Sequence, residues 1–127
     1  MEVMVLGLSH HNSAVDIREK LAVAEEDWNY ASAQLCKYDA IAEAAVLSTC
    51  NRFEIYISGK DKYECATAAS EFCKKWSGLD DATLRENLFI LTGEEAIWHL
   101  FRVSAGLDSL VVGEGQILAQ VKKAYEH

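Results

Sequence analysis

Between Ala44 and Ile57 two apolar segments stand only Ser-Thr-Cys-Asn-Arg apart, and no other feature constrains the fold as tightly. Parallel neighbours need a crossover of about a dozen residues or more, so strands this close pair as an antiparallel hairpin. Ala44 to Leu47 is a continuous apolar run, the pattern of a buried strand. Phe53, Ile55 and Ile57 then alternate with Arg52, Glu54, Tyr56 and Ser58, which predicts a third strand with a half-exposed polar face.

The flanking segments set this hairpin in a larger order. Val3 to Leu8 is an apolar run ending in Ser9-His10-His11-Asn12, a strand leading into a turn. Ser13 with Asp16 three residues on predicts a helix start, continued from Val15 to Ala22. Glu25, Glu26 and Asp27 place negative charge where a second helix has its positive end, and Trp28, Ala31, Leu35 and Cys36 follow at helical spacing. A further helix carries Cys65, Ala69, Phe72, Cys73 and Trp76 on one stripe and stops at Gly78. Asp80 opens a short helical piece, and Leu88 to Leu91 is a fourth strand. Thr92-Gly-Glu-Glu95 has the form of a capping box, with Ala96, Ile97, Leu100, Phe101 and Val103 giving the helix behind it an apolar face. The order β-α-β-β-α-β, followed by a helix, predicts an α+β fold: a ferredoxin-like sandwich, an antiparallel sheet with helices on one face.

Ser104 to Gln116 mixes Gly with Asp, Ser, Glu and Gln and reads as a loop joining two helices. From Glu114 to Tyr125 the apolar residues recur as on an amphipathic helix, yet no Gly, Asn or Pro stop signal precedes His127. The expectation is a domain over 1–112 and, over 113–127, the start of a long linking helix of a longer protein.

Composition narrows the chemistry. The 127 residues suffice for one core, and with 50% hydrophobic and 25% charged residues they read as a globular domain. A net charge of -8 excludes a sequence-independent nucleic-acid binder, which concentrates Lys and Arg against phosphates, so any RNA contact is local. The four cysteines form no Cys-x-x-Cys pair and no zinc-spaced ladder, so no metal site is expected and the thiols are free, as in a reducing compartment. The first apolar run stops at Leu8, too short for a signal peptide or a membrane span. Gly113-Glu-Gly115 lacks the third glycine of a dinucleotide loop, with Leu118 in its place, so no cofactor site is expected within the chain.

Cys50 admits two readings. If strand geometry persists through the turn, Cys50, Arg52 and Glu54 project to one side and Phe53, Ile55 and Ile57 to the other. The thiol then faces the polar side beside a guanidinium, an environment that favours a thiolate nucleophile. Equally, cysteine is among the most buried residue types and packs hairpins as a small hydrophobe. His99, at the edge of an apolar helix stripe, is either a base looking into a cleft or a half-buried histidine bonded to a carbonyl. His10 and His11 read as turn residues.

Together, Gly7-Leu-Ser-His-His-Asn-Ser-Ala-Val15, Leu47-Ser-Thr-Cys-Asn-Arg-Phe-Glu-Ile-Tyr56 and the run from His99 through Gly-Leu-Asp-Ser-Leu-Val-Val-Gly-Glu-Gly-Gln to Lys122 closely resemble the glutamyl-tRNA reductase family. The resemblance implies an oxidoreductase that reduces the activated carboxyl of tRNA-bound glutamate to glutamate-1-semialdehyde with NADPH, in tetrapyrrole synthesis. It implies that Cys50 attacks the aminoacyl ester to give a thioester, which hydride then reduces, with His99 as acid or base. Arg52 would hold a substrate carboxylate, Thr49, Ser109 and Gln116 would line the glutamate pocket, and Glu54 would position Arg52 or the substrate amine. It also implies that NADPH binds to a domain outside this chain, that the full-length protein is a homodimer, and that glutamate-1-semialdehyde aminotransferase is a partner. The compartment would be a bacterial cytoplasm or a plastid stroma, without membrane attachment. The chain departs from the family pattern in having no proline: Val15 follows Ala14, and Gly115 follows Glu114. Two other readings compete, a truncated paralogue acting as a binding module and a cysteine esterase for aminoacyl esters.

Overall fold

The computed structural model describes residues 1–8 and 13–110, with side chains as far as residue 105. Four strands, β1 (Glu2–Leu8), β2 (Glu43–Thr49), β3 (Arg52–Gly59) and β4 (Leu88–Thr92), alternate with helices α1 (Val15–Leu21), α2 (Trp28–Leu35), α3 (Lys62–Ser77), α4 (Asp81–Asn87) and α5 (Gly93–Leu110). The strands form one antiparallel sheet in the order β2-β3-β1-β4. With β1 and β3 central, this is the α+β ferredoxin-like order that the segment pattern predicts. Thr49 pairs with Arg52 to close the β2–β3 hairpin, leaving only Cys50 and Asn51 outside the ladder.

Local signals explain most element ends. Asp61 caps α3 by accepting from the backbone N–H groups of Tyr63 and Glu64 at 2.8 and 3.0 Å, and Gly78 ends it in the left-handed region at φ 77°. Asp80 likewise caps α4 through the Thr83 N–H. Three expectations fail. Ser13 does not cap α1: Ala14 holds the cap position with no side-chain bond, and the buried Ser13 hydroxyl has no partner among the described residues. Thr92 does not open a capping box; it ends β4 opposite Met4, and Gly93, at φ 57°, turns the chain into α5. The expected loop from Ser104 is helical as far as Leu110, because a lone glycine among Ala, Leu and Ser costs a helix only about 1 kcal/mol. The expected linking helix over 113–127 lies outside the described residues.

Cross-strand partners share a face of the sheet, so the register sorts the side chains. On one face Ser48 accepts a hydrogen bond from the Val23 N–H at 2.9 Å, and Cys65 of α3 packs over Gly59, where a Cβ would come 2.3 Å from its sulfur. The helices within the β-α-β-β-α-β unit therefore cover this side. The other face carries Val5, Gly7, Glu54, Tyr56 and Phe89, and α5 packs on it through His99. That extra layer corrects the half-exposed reading of β3. Glu54 and Tyr56 are only 1% and 3% exposed, because α5 lies over that end of the polar face, where His99 meets Glu54.

Gly7 supports that roof. A Cβ there would stand 2.7 Å from the Phe89 ring and 2.9 Å from the Phe53 carbonyl oxygen, so only a bare Cα lets the ring lie over β1. Gly7→Ala is expected to cost about 1–3 kcal/mol in denaturant unfolding, as overpacking does, and to displace the ring that flanks His99. Unchanged stability would refute this close approach.

Candidate functional site

The hairpin tip is built by the shortest connection two antiparallel strands permit. Among the described residues no side-chain-bearing residue has positive φ, so this turn is not one of the mirror-image types that favour Asn-Gly. The Thr49 hydroxyl accepts from the Asn51 N–H at 3.3 Å, a local bond that holds the tip and leaves the hydroxyl proton free to donate. Cys50 is exposed there. This corrects the parity argument: strand alternation stops at Thr49, so Cys50 is neither a packed hairpin residue nor aligned with Arg52 and Glu54.

Behind the tip lies a buried polar network. Glu54, on β3, accepts from the Tyr56 hydroxyl at 2.6 Å through Oε1, while Oε2 receives Arg52 Nη1 at 3.1 Å and His99 Nε2 at 2.5 Å. One carboxylate therefore carries three donors, and two of them share an oxygen. Burial, then the Glu54 charge and its hydrogen bond, hold the Tyr56 phenol far above its ordinary range, so it stays a donor. A carboxylate can only accept, which places the Nε2 proton of His99 on the bond to Glu54 and leaves Nδ1 for proton exchange. Phe89 flanks the imidazole at 5.3 Å between ring centres and limits its rotation.

The sequence candidates therefore fall into two groups joined by Arg52. Thr49, Cys50 and Arg52 line one small cavity at the hairpin end. Arg52, Glu54 and His99 form the buried network. Ser109 lies on α5 with its side chain outside the described part, and Gln116, His10 and His11 lie outside the described residues altogether. Sequence reasoning missed Tyr56, whose alternation with Glu54 placed both on one face without revealing the bond. It also missed Arg18, which α1 brings into the cavity of Cys50. No local pattern marks Arg18, since the contact spans more than thirty positions of chain.

The four thiols differ sharply. Burial pushes Cys73 up to about 12, and it also raises Cys65 and Cys36, the latter helped by Glu43. Iodoacetamide near neutral pH is expected to modify Cys50 first, Cys36 more slowly, and Cys65 and Cys73 only on unfolding, as read by peptide mass spectrometry. The protonated Cys73 thiol also has a stability consequence. Above the ordinary value of 9.0 the unfolded chain loses that proton first, so stability falls as pH climbs towards about 12. Alkylation of Cys73 at a rate matching Cys50 would contradict both statements.

Comparison with known proteins places this arrangement. The family model described as the N-terminal domain of glutamyl-tRNA(Glu) reductase matches residues 6–127. A glutamyl-tRNA reductase of Cyanothece sp. is 50% identical over 126 residues, covering 99% of this chain and 29% of that protein. Glutamyl-tRNA reductase 2 of Hordeum vulgare is 54% identical over 121 residues, covering 95% of this chain and 26% of its own length. The solved glutamyl-tRNA reductase of Methanopyrus kandleri superposes with a TM-score of 0.60 at 32% identity, over 98% of this chain and 27% of that one. The chain thus spans less than a third of the length of these relatives, and it belongs to the family of glutamyl-tRNA reductase N-terminal domains.

Proposed function

We propose that this chain is the thioester-forming, catalytic part of a glutamyl-tRNA reductase. The observation that carries the reading is an exposed thiol on a two-residue turn, adjoining a buried Arg52–Glu54–His99 network. The Cys50 thiolate attacks the carbonyl carbon of the glutamyl ester, and collapse of the tetrahedral adduct breaks the ester C–O bond. His99 Nδ1, with Nε2 anchored on Glu54, is the group suited to take the proton that the Cys50 thiol loses and to pass it to the leaving ribose oxygen of the tRNA. Arg52 and the Thr49 hydroxyl orient the acyl group at the tip, with Ser109 and Gln116 completing the pocket as the resemblance implies. Arg102, Lys122 and Lys123 are local contacts for the aminoacyl end, a modest requirement consistent with the acidic balance.

The family implies NADPH, but the described residues do not fit it. Gly7 and Gly59 are pressed against neighbouring atoms in strands, Gly78 ends a helix, and Gly93, in open space at the β4-to-α5 turn, stands alone without the further glycines of a dinucleotide loop. We therefore assign the hydride transfer that yields glutamate-1-semialdehyde to a cofactor domain outside this chain. The 1–112 domain with a linking helix from 113, a homodimer, an aminotransferase partner and a cytoplasmic or stromal location belong to the same proposal. Among the described residues no helix is long and apolar enough to cross a membrane.

The deciding experiment incubates the chain with glutamyl-tRNA and measures intact mass. A glutamyl adduct on Cys50 is expected, hydrolysing slowly because the exposed tip admits water, with no semialdehyde when NADPH is added. Absence of an adduct favours the binding module; rapid turnover without cofactor favours the esterase.

A further inference from the structure

We propose that the aromatic cavity between α2 and α3 stacks an unpaired base of the tRNA acceptor end while its lysines meet the adjoining phosphates. The choice of RNA as ligand rests on the thioester reading above. Tyr30, Tyr38, Phe72 and Trp76 line a cavity of about 370 Å³ together with Lys37 and Lys75. That volume falls within the roughly 300–1,000 Å³ of small-ligand sites. Its rings form a platform that is firm beneath and open above. Buried Phe72 stacks on the Trp76 indole with centroids 5.6 Å and planes 23° apart, whereas Tyr30 stands 6.4 Å from the indole, tilted by 45° and 58% exposed. Exposed π-surface of this kind accepts any nucleobase, because every base has a π-face.

Charge selects an anion. No carboxylate lines this cavity, although the chain carries a net charge of -8. Lys37 forms no ion pair among the described residues. Lys75 lies 5.8 Å over the Tyr38 ring and pairs with the exposed Glu71 at 3.8 Å, a contact of little worth in water. The cavity on the other side of Tyr38, by contrast, holds Asp39, Glu64 and Glu71. Position then decides which anion. The Trp76 indole N–H donates to the Ala22 carbonyl at 3.3 Å, and Ala22 also lines the cavity of Cys50 with Arg18 and Arg52. Two cavities that carry cations and no carboxylate thus meet at Ala22. The ester that Cys50 attacks sits on the last nucleotide of an unpaired strand, so that strand leaves the thiol beside a surface able to stack its bases and neutralise its phosphates. A free nucleotide or planar carboxylate would fill the aromatic cavity and has no use for its neighbour.

The test measures binding without chemistry, by fluorescence anisotropy of a labelled, uncharged single-stranded RNA of acceptor-end sequence at low salt. Replacing its bases by abasic sites keeps the phosphates and is expected to weaken binding to the unaltered chain about tenfold. In Tyr30→Ala that ratio is expected to fall to about threefold or below, and Tyr30→Phe, which keeps the ring, to restore it. Tyr30 is exposed, so its truncation spares the core. Lys37→Ala is expected to lower the slope of log affinity against log salt by about 0.7, the share of one phosphate on a single strand. Equal affinity of the unaltered chain for base-bearing and abasic RNA, or an unchanged ratio in Tyr30→Ala, overturns the inference. RNA binding that depends on Tyr30 in a chain forming no glutamyl adduct sinks the thioester reading and leaves the stacking site standing; an adduct with RNA binding indifferent to Tyr30 does the reverse.

Discussion

Cys50→Ser is expected to abolish the proposed glutamyl adduct while leaving the fold intact. The two halves of that result have separate causes. Cys50 is exposed in a two-residue turn, outside the strand ladder and outside the core, so exchanging sulfur for oxygen there changes stability by no more than about 0.5 kcal/mol. Chemically the exchange is severe, because a serine hydroxyl without an adjacent base is almost wholly un-ionised, and the loss in acyl transfer is on the order of 10³-fold or more. Intact-mass measurement after incubation with glutamyl-tRNA, beside a denaturant melt, separates the two. A glutamyl adduct that persists in the serine variant at another residue would remove Cys50 from the proposed chemistry.

Glu54→Ala carries the largest stability cost. The carboxylate is 1% exposed and its two oxygens satisfy Tyr56, Arg52 and His99 together. Truncation strands a phenol, a guanidinium and an imidazole around a cavity, and breaking a buried charged pair from one side costs about 3–5 kcal/mol. Domains of this size are stable by about 5–15 kcal/mol, so the melt should move by tens of degrees or the variant should fail to accumulate. Glu54→Gln preserves the volume but offers one acceptor oxygen to three donors. It is expected to fold with reduced stability and to slow acyl transfer by about 10²-fold or more through a misplaced His99. A double-mutant cycle with Tyr56→Phe should return a coupling of about 0.5–3 kcal/mol, as for residues sharing one network. Wild-type stability in Glu54→Ala would show that the network is not what holds α5 to the sheet.

Much of the fold was legible because its signals are local. The short gap before Phe53 forced a hairpin, Asp61 and Gly78 bounded α3, and the order of apolar segments led to the observed sheet. The errors arose where two local signals competed. Ser13 and Thr92 have cap chemistry, but Ser13 is drawn into the interior and Thr92 into pairing with Met4, and tertiary context overrides such preferences. The expected loop after Ser104 had the residues of a turn, yet its first seven positions continue α5.

The candidate site divides along the same line. Sequence by itself determined the family and the hairpin and singled out Cys50, Arg52, Glu54 and His99 as the candidates for chemistry, because motif identity and period-two spacing are properties of neighbouring positions. Only the tertiary structure decided what those residues do to one another. Residue 99 reaches residue 54, and residue 18 reaches the cavity of residue 50, across separations that no local period encodes. α5 folding over the polar face of β3 turned a strand read as half-exposed into the floor of a buried network. The turn lifted Cys50 out of the alternation and into solvent, where packing no longer fixes its partners and chemistry can.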